Sequence, residues 1–154
     1  MTPVARLGGR VLLVDHSGRV LLIHERIEDG STHWLTPGGG VEDGEHPRDA
    51  AAREAREETG IELTIGPDAE PALVTRRDWS WGGIDYDQVD HFFVVRVADG
   101  TEATPFHLTE VERQTWLDLR WWSIDELAAT DAVVVPPNLA EVLAGVLEAR
   151  RPHG

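Results

Sequence analysis

Three glutamates, Glu54, Glu57 and Glu58, fall three and four residues apart in a stretch that reads as helix. At 100° per residue they lie within about 100° of arc, so they share one face. Like charges at that spacing repel. At ~6 Å and an effective dielectric near 20 a pair costs roughly 3 kcal/mol, falling to tenths when fully exposed. A hard divalent cation with oxygen ligands supplies the counter-charge that such a face suits. Arg53 stands where it reaches Glu57 at i+4 and offsets part of the repulsion. Just upstream, Gly38, Gly39 and Gly40 form a run whose backbone lets a ligand approach closely, and Glu45 precedes the helix. The helix alone also reads as a solvated acidic face. The glycine run and Glu45 beside it favour the metal reading.

The elements that must hold these residues follow from local pattern. Pro47 fits the first turn of a helix that runs to about Thr59 and stops at Gly60. Its small stripe, Arg48, Ala52, Ala55 and Thr59, suits close packing on a sheet. The apolar runs 10–15 and 20–25 flank a turn-like tetrad, His16 to Arg19, and predict a hairpin of buried strands. Residues 61–65, 72–76, 89–98 and 119–123 read as further strands. Ser123 and Glu126 have capping-box spacing and open a short helix. Asn138 and Glu141 repeat the device before a helix with Leu139, Val142, Leu143, Val146 and Leu147 on one face. Strands and helices interleave, so a mixed sheet with helices packed on it is expected.

Composition narrows the chemistry. The 154 residues suit one domain, spanning 1–154, and 41% are hydrophobic, which reads as globular. There is no cysteine, so disulfides and thiolate chemistry are excluded, and no lysine, which excludes Schiff-base and P-loop lysine mechanisms. The formal net charge of −14 argues against non-specific nucleic-acid binding. An anionic small molecule remains a fitting partner if a cation bridges it. No apolar run approaches the ~18 residues of a membrane span, and no secretory signal is visible, so a cytoplasmic protein is expected.

Gly39, Glu45, Arg53, Glu54, Ala55, Glu57, Glu58, Gly60 and Ile61 match the Nudix box at every specified position. On these residues the chain resembles the Nudix hydrolases of MutT type. Trp34 before the Pro-Gly-Gly, the strand 89–98, and Trp121-Trp122-Ser123 extend the likeness more weakly. The resemblance implies an α/β fold, the Nudix α/β/α sandwich with a mixed sheet. It also implies a loop–helix–loop that binds Mg²⁺ or Mn²⁺, and hydrolysis of a nucleoside diphosphate linked to another moiety. Carried over by position, Glu57 and Glu58 are metal ligands and Glu54 is a third ligand or a base. The carbonyl of Gly38 or Gly39 completes the set, Arg53 orients carboxylates, and Glu45 supports the loop–helix junction.

Outside the box, the resemblance implies a further carboxylate from a later loop. Glu110 and Glu112 offer it, with Glu112 preferred as a catalytic group; both also suit a solvated loop. Trp79, Trp81 and Tyr86 occupy a Gly-containing stretch where the family places substrate contacts, and aromatic faces there would stack on a base. Ordinary packing explains them too. Asn138 follows Pro136-Pro137 as in members that set an Asn on a purine edge, but it also reads as a helix N-cap. His33, His91 and His107 lack ligand spacing and read as surface or strand residues. The expected activity is Mg²⁺-dependent pyrophosphate hydrolysis of a nucleoside triphosphate or related nucleotide. ADP-ribose-type and dinucleoside-polyphosphate-type substrates are the alternatives. Arg76 stands where the first type implies Pro, and Asp78 and Trp79 stand where the second implies Tyr. A catalytically silent nucleotide-sensing domain is the reading from another class, and a monomer or homodimer is expected.

Overall fold

The computed structural model describes residues 2–105 and 108–149, so His107 lies outside the described residues. In chain order the elements are β1 (Val4–Asp15), β2 (Val20–Arg26), β3 (Thr32–Leu35), β4 (Gly38–Gly40), α1 (Pro47–Thr59), β5 (Leu73–Trp81) and β6 (Ile84–Val97). They continue with α2 (Glu110–Thr115), β7 (Trp116–Trp122), α3 (Ile124–Ala129), β8 (Val134–Val135) and α4 (Leu139–Glu148). One eight-stranded mixed sheet runs β5-β6-β1-β2-β3-β8, with β4 pairing β1 and β7 pairing β2.

β1 is the keel. Val11, Leu12, Leu13 and Val14 are wholly buried, as a continuous apolar run in a central strand should be. It pairs parallel with β6 from Val4↔Tyr86 to Asp15↔Val97. Alternate residues pack on opposite sides. On one side Leu12, Val14, Val20, Leu22 and Phe92 pack with Leu127, Leu139 and Leu143 of α3 and α4. On the other, Val11, Leu13, Leu21 and Phe93 pack with Ala51 and Ala55 of α1 and with Ile61 and Ile65. Helices therefore cover both faces of the mixed sheet.

The expected hairpin forms, turning on Gly18, with the Arg19 amide donating to Asp15 Oδ1 at 2.8 Å. The two strands pair only at Val14↔Val20 and then separate, because β4 takes the edge of β1 at Gly8↔Gly40 and Arg10↔Gly38. The expected strand 61–65 does not form. Its alternation of buried Ile61 and Ile65 with exposed Glu62 and Thr64 has the period of a strand, but the segment has no strand partner and serves as an apolar plug. The expected strands 72–76, 89–98 and 119–123 form with different bounds, as β5, β6 and β7. β5 and β6 run on into a hairpin through Gly82-Gly83, both at positive φ, as a two-residue hairpin turn demands. Trp79, Trp81 and Tyr86 thus stand on strands and not in a loop.

Candidate active site

α1 begins behind His46, whose Nδ1 accepts the Arg48 amide at 3.1 Å, and ends on Gly60 at φ 72°. Its buried face is Ala51, Ala55, Glu58 and Thr59, turned from the expected stripe so that Arg48 and Ala52 are only half-buried. The helix lies tight on the sheet: a Cβ on Gly9 would meet the Pro47 carbonyl oxygen at 2.0 Å and the Ala51 nitrogen at 2.9 Å. That contact aims Glu54 and Glu58 at β4. The Gly38 amide donates to Glu58 Oε1 at 2.9 Å. A Cβ on Gly39 would strike the Glu54 carboxylate, at 2.6 Å from Cδ and 2.7 Å from Oε1. Gly38 meets Glu58 through its amide.

The carboxylates that converge are Glu54, Glu58 and Glu112, each offering an oxygen within 4.8 Å of the others. Glu112 comes from α2, not from a loop. Thr109 and Glu112 form a reciprocal capping box, the Thr109 amide donating to Glu112 Oε1 at 2.9 Å. Glu110 is exposed at the start of the same helix and is not in the cluster. Burial, with Glu54 close by, drives the Glu58 carboxyl well above the usual range. Burial and then Glu112 raise Glu54. In both, burial is the larger cause and repulsion between the carboxylates adds to it, while Arg53 offsets the shift of Glu54 and Arg10 that of Glu58 only in part.

Glu57 stands outside that grouping, its Oε2 3.6 Å from Arg53 Nη1. Arg53 binds other partners more closely. Its Nε and Nη2 both donate to Glu45 at 3.0 Å, Nη1 donates to Glu54 Oε1 at 2.9 Å, and Nη2 reaches the Gly40 carbonyl at 3.1 Å. The guanidinium thereby ties the pre-helix loop, β4 and the cluster together, and its hydrogen bonds hold the Glu45 carboxyl below its ordinary range.

Across the sheet, Trp79 stacks on Tyr86 with ring centroids 4.5 Å apart. The Arg6 guanidinium lies 5.3 Å from the Trp79 ring and that of Arg77 5.6 Å. Trp79 Nε1 donates to Gln88 Oε1 at 2.8 Å. Trp81, half-buried beside the hairpin turn, makes no such ring contact among the described residues. Asn138 is exposed at the N-cap position of α4 without a side-chain capping bond, so the expected cap contact is missing. His33 and His91 lie on strands, His33 Nε2 at 2.9 Å from Glu25 Oε1. Sequence reasoning missed Arg6 and Arg10. They stand four residues apart on one face of β1, with only glycine at the position between them on that face.

Two glutamates of α1 beneath a glycine strand and one of α2, set in an α/β/α sandwich, form a cluster that could hold a metal ion. All three side-chain donors are carboxylates, and a Cβ on Gly39 would intrude on one of them, so the residues present fit a divalent ion. Residues 5–143 match the NUDIX domain. An RNA pyrophosphohydrolase of Cereibacter sphaeroides is 30% identical, over 93% of this chain and 88% of that protein. The structure of a MutT NUDIX hydrolase from Burkholderia pseudomallei is 26% identical with a TM-score of 0.66, covering 92% of this chain and 98% of that one. A MutT protein from Methanosarcina mazei Go1 shares the fold at 17% identity, with a TM-score of 0.69 over 98% of this chain and 99% of that one. This chain belongs to the NUDIX family and is a pyrophosphohydrolase, of a family whose members generally use a divalent metal. Among the described residues no helix is long and apolar enough to cross a membrane.

Proposed function

We propose that the protein hydrolyses a pyrophosphate bond of a nucleoside 5′-triphosphate or a closely related nucleotide, with Mg²⁺ or Mn²⁺ as cofactor. The observation that carries this reading is the convergence of Glu54, Glu58 and Glu112. These three would hold the cation, with the Gly38 amide orienting Glu58 and Arg53 orienting Glu54. When bound, the cation neutralises diphosphate charge and supports attack of water on phosphorus. Glu57, outside the cluster, is left for a second ion or for proton transfer. Trp81 and the Trp79–Tyr86 pair would meet the base, and Asn138 stays a candidate for a base edge. A second reading is the 5′-triphosphate end of an RNA, favoured by the relative named RNA pyrophosphohydrolase. The net charge of −14 then limits contact to the end of the strand.

The test is a phosphate- and pyrophosphate-release screen with Mg²⁺ over nucleoside triphosphates, 5′-triphosphorylated RNA, ADP-ribose and dinucleoside polyphosphates. Turnover of the first or second, abolished by EDTA and restored by Mg²⁺ or Mn²⁺, is expected. Preference for ADP-ribose, or full activity in EDTA, would overturn the reading.

A further inference from the structure

Arg10 opens the most deeply buried run of the chain, yet it is a permanent charge only 7% exposed. An apolar residue there would extend the core, so its contacts need explaining. Its Nε lies 3.4 Å from Asp90 Oδ2. Arg77 Nε lies 3.2 Å from the same oxygen, so Asp90 already has a cationic partner without Arg10. Burial works against the Asp90 carboxylate, but Arg10, Gln88 and Arg77 outweigh it and hold its pKa below the ordinary value. What Arg10 adds is directed elsewhere. Its Nη1 donates to the Thr36 carbonyl at 2.7 Å. Its stem covers Gly38, where a Cβ would meet Arg10 Cγ at 2.6 Å. Two residues beyond Thr36, the Gly38 amide holds Glu58.

The contacts continue the other way. Asp90 Oδ1 accepts from Gln88 Nε2 at 2.6 Å, and Gln88 Oε1 accepts from Trp79 Nε1 at 2.8 Å. A single path therefore runs from the aromatic wall on one side of β1 to the carboxylate cluster on the other. We propose that Arg10 is a positioning residue, which fixes the segment 36–38 so that the Gly38 amide holds Glu58 in its ligating orientation, and which seats that segment against the Trp79 wall through Asp90. The inference rests on Glu58 being a ligand, as read above.

The experiment measures Mn²⁺ affinity of the full chain by calorimetry, below the melting temperature of every variant, together with kcat and KM. Arg10→Lys keeps the charge near Asp90 but loses the planar fork, and should weaken Mn²⁺ binding about tenfold, as loss of a group orienting a metal ligand does. kcat should fall with it. Arg77→Gln, which disturbs the same carboxylate but does not touch residues 36–38, should leave Mn²⁺ affinity within about twofold. Should Arg10→Lys not fold, Asp90→Asn removes the anchor of Arg10 and should weaken Mn²⁺ binding in the same sense. Parental Mn²⁺ affinity in folded Arg10→Lys, or an equal loss in Arg77→Gln, overturns the proposal. Glu58→Gln runs beside them. If it too binds Mn²⁺ like the parent, the ligand assignment fails; if it alone loses affinity, only the role of Arg10 fails.

Discussion

Replacing Glu58 by Gln separates fold from chemistry at the centre of the cluster. The side chain is 6% exposed, and its carboxylate shares with Glu54 and Glu112 a region in which ligand oxygens lie within 4.8 Å. At that separation and an effective dielectric near 20, each pair of full charges would repel by about 3.5 kcal/mol. Protonation relieves most of this without metal, since burial and Glu54 lift the Glu58 carboxyl well above the usual range. A gain of about 1–2 kcal/mol, a fraction of that full-charge repulsion, is expected when the charge goes. Gln matches Glu in helix propensity and still offers the Gly38 amide an oxygen, so neither backbone nor donor suffers. In EDTA the variant should therefore melt about 2–8 °C above the parent. With Mg²⁺ at a hundred times its dissociation constant, the parent should gain about 2.7 kcal/mol and the variant much less. Activity should fall at least about 100-fold, as when a group supporting transition-state charge is lost. Thermal melts with and without Mg²⁺ beside a nucleotide hydrolysis assay decide it. A variant that melts below the parent in EDTA yet keeps its gain from Mg²⁺ would refute the reasoning.

The pH dependence carries a definite sign. Glu54 and Glu58 have raised pKa values when folded, so their contribution is full below about 4.5, the ordinary value, and is lost as pH rises through the raised values. His24, whose pKa burial lowers, contributes the opposite slope in the same range, so the check is a difference. In EDTA the Glu54→Gln/Glu58→Gln pair should gain stability relative to the parent as pH rises from about 5 towards neutrality, and a difference that shrinks over this range would contradict the cluster's electrostatics. Trp81→Ala should raise KM, with base stacking worth ~1–3 kcal/mol, while leaving the melting temperature nearly unchanged. Trp79→Ala should lower the melting temperature as well, because Gln88 and the Arg6 and Arg77 contacts lose their partner. Changes under about twofold in kcat/KM for both would assign the pair to packing. Arg53→Lys cannot span Glu45, Glu54 and the Gly40 carbonyl together, so kcat should fall at least about tenfold with the helix intact by circular dichroism.

The sandwich and the box helix were legible because their signals are local. Pro47, Gly60 and the alanines specify α1 without reference to the rest of the chain. The capping box at Ser123 formed for the same reason. What failed was whatever depended on partners distant in sequence. Residues 61–65 have the alternation of a strand, but a strand also needs a neighbouring edge, and none is offered. Asn138 has capping chemistry, but its backbone, at φ −95° and ψ 22°, is not the extended conformation in which caps bond. The three helix glutamates share an arc of sequence, yet tertiary packing sorted them. Glu54 and Glu58 face Gly39 and Gly38 across the sheet, and Glu57 faces Arg53. Their partner Glu112 lies more than fifty residues on, and it was marked in advance by the family resemblance, which implies a later carboxylate, and not by any local pattern. Arg10 was unreadable because a lone arginine before an apolar run has the same sequence signature whether it is a solvated strand end or a buried clamp.

Holding three carboxylates together is possible only because the backbone beneath them cannot give way. Repulsion acts to splay α2 from α1 and to turn Glu54 and Glu58 away from each other and from the sheet. Against it, Gly9 brings the α1 backbone so near β1 that a single Cβ would collide with the Pro47 carbonyl oxygen, and Ala51 and Ala55 bury their methyls beside Val11 and Leu13. Arg53 bridges the loop at Glu45, β4 at Gly40 and the helix at Glu54 with one planar group. The small residues of this sequence are thus electrostatic devices as much as steric ones. They allow an approach close enough for packing and hydrogen bonds to offset a charge density that solvent alone would disperse. A cation bound as proposed would meet carboxylates already assembled, their ordering met by folding and not by binding. That preorganisation is what a positioning-dominated reaction such as phosphoryl transfer requires.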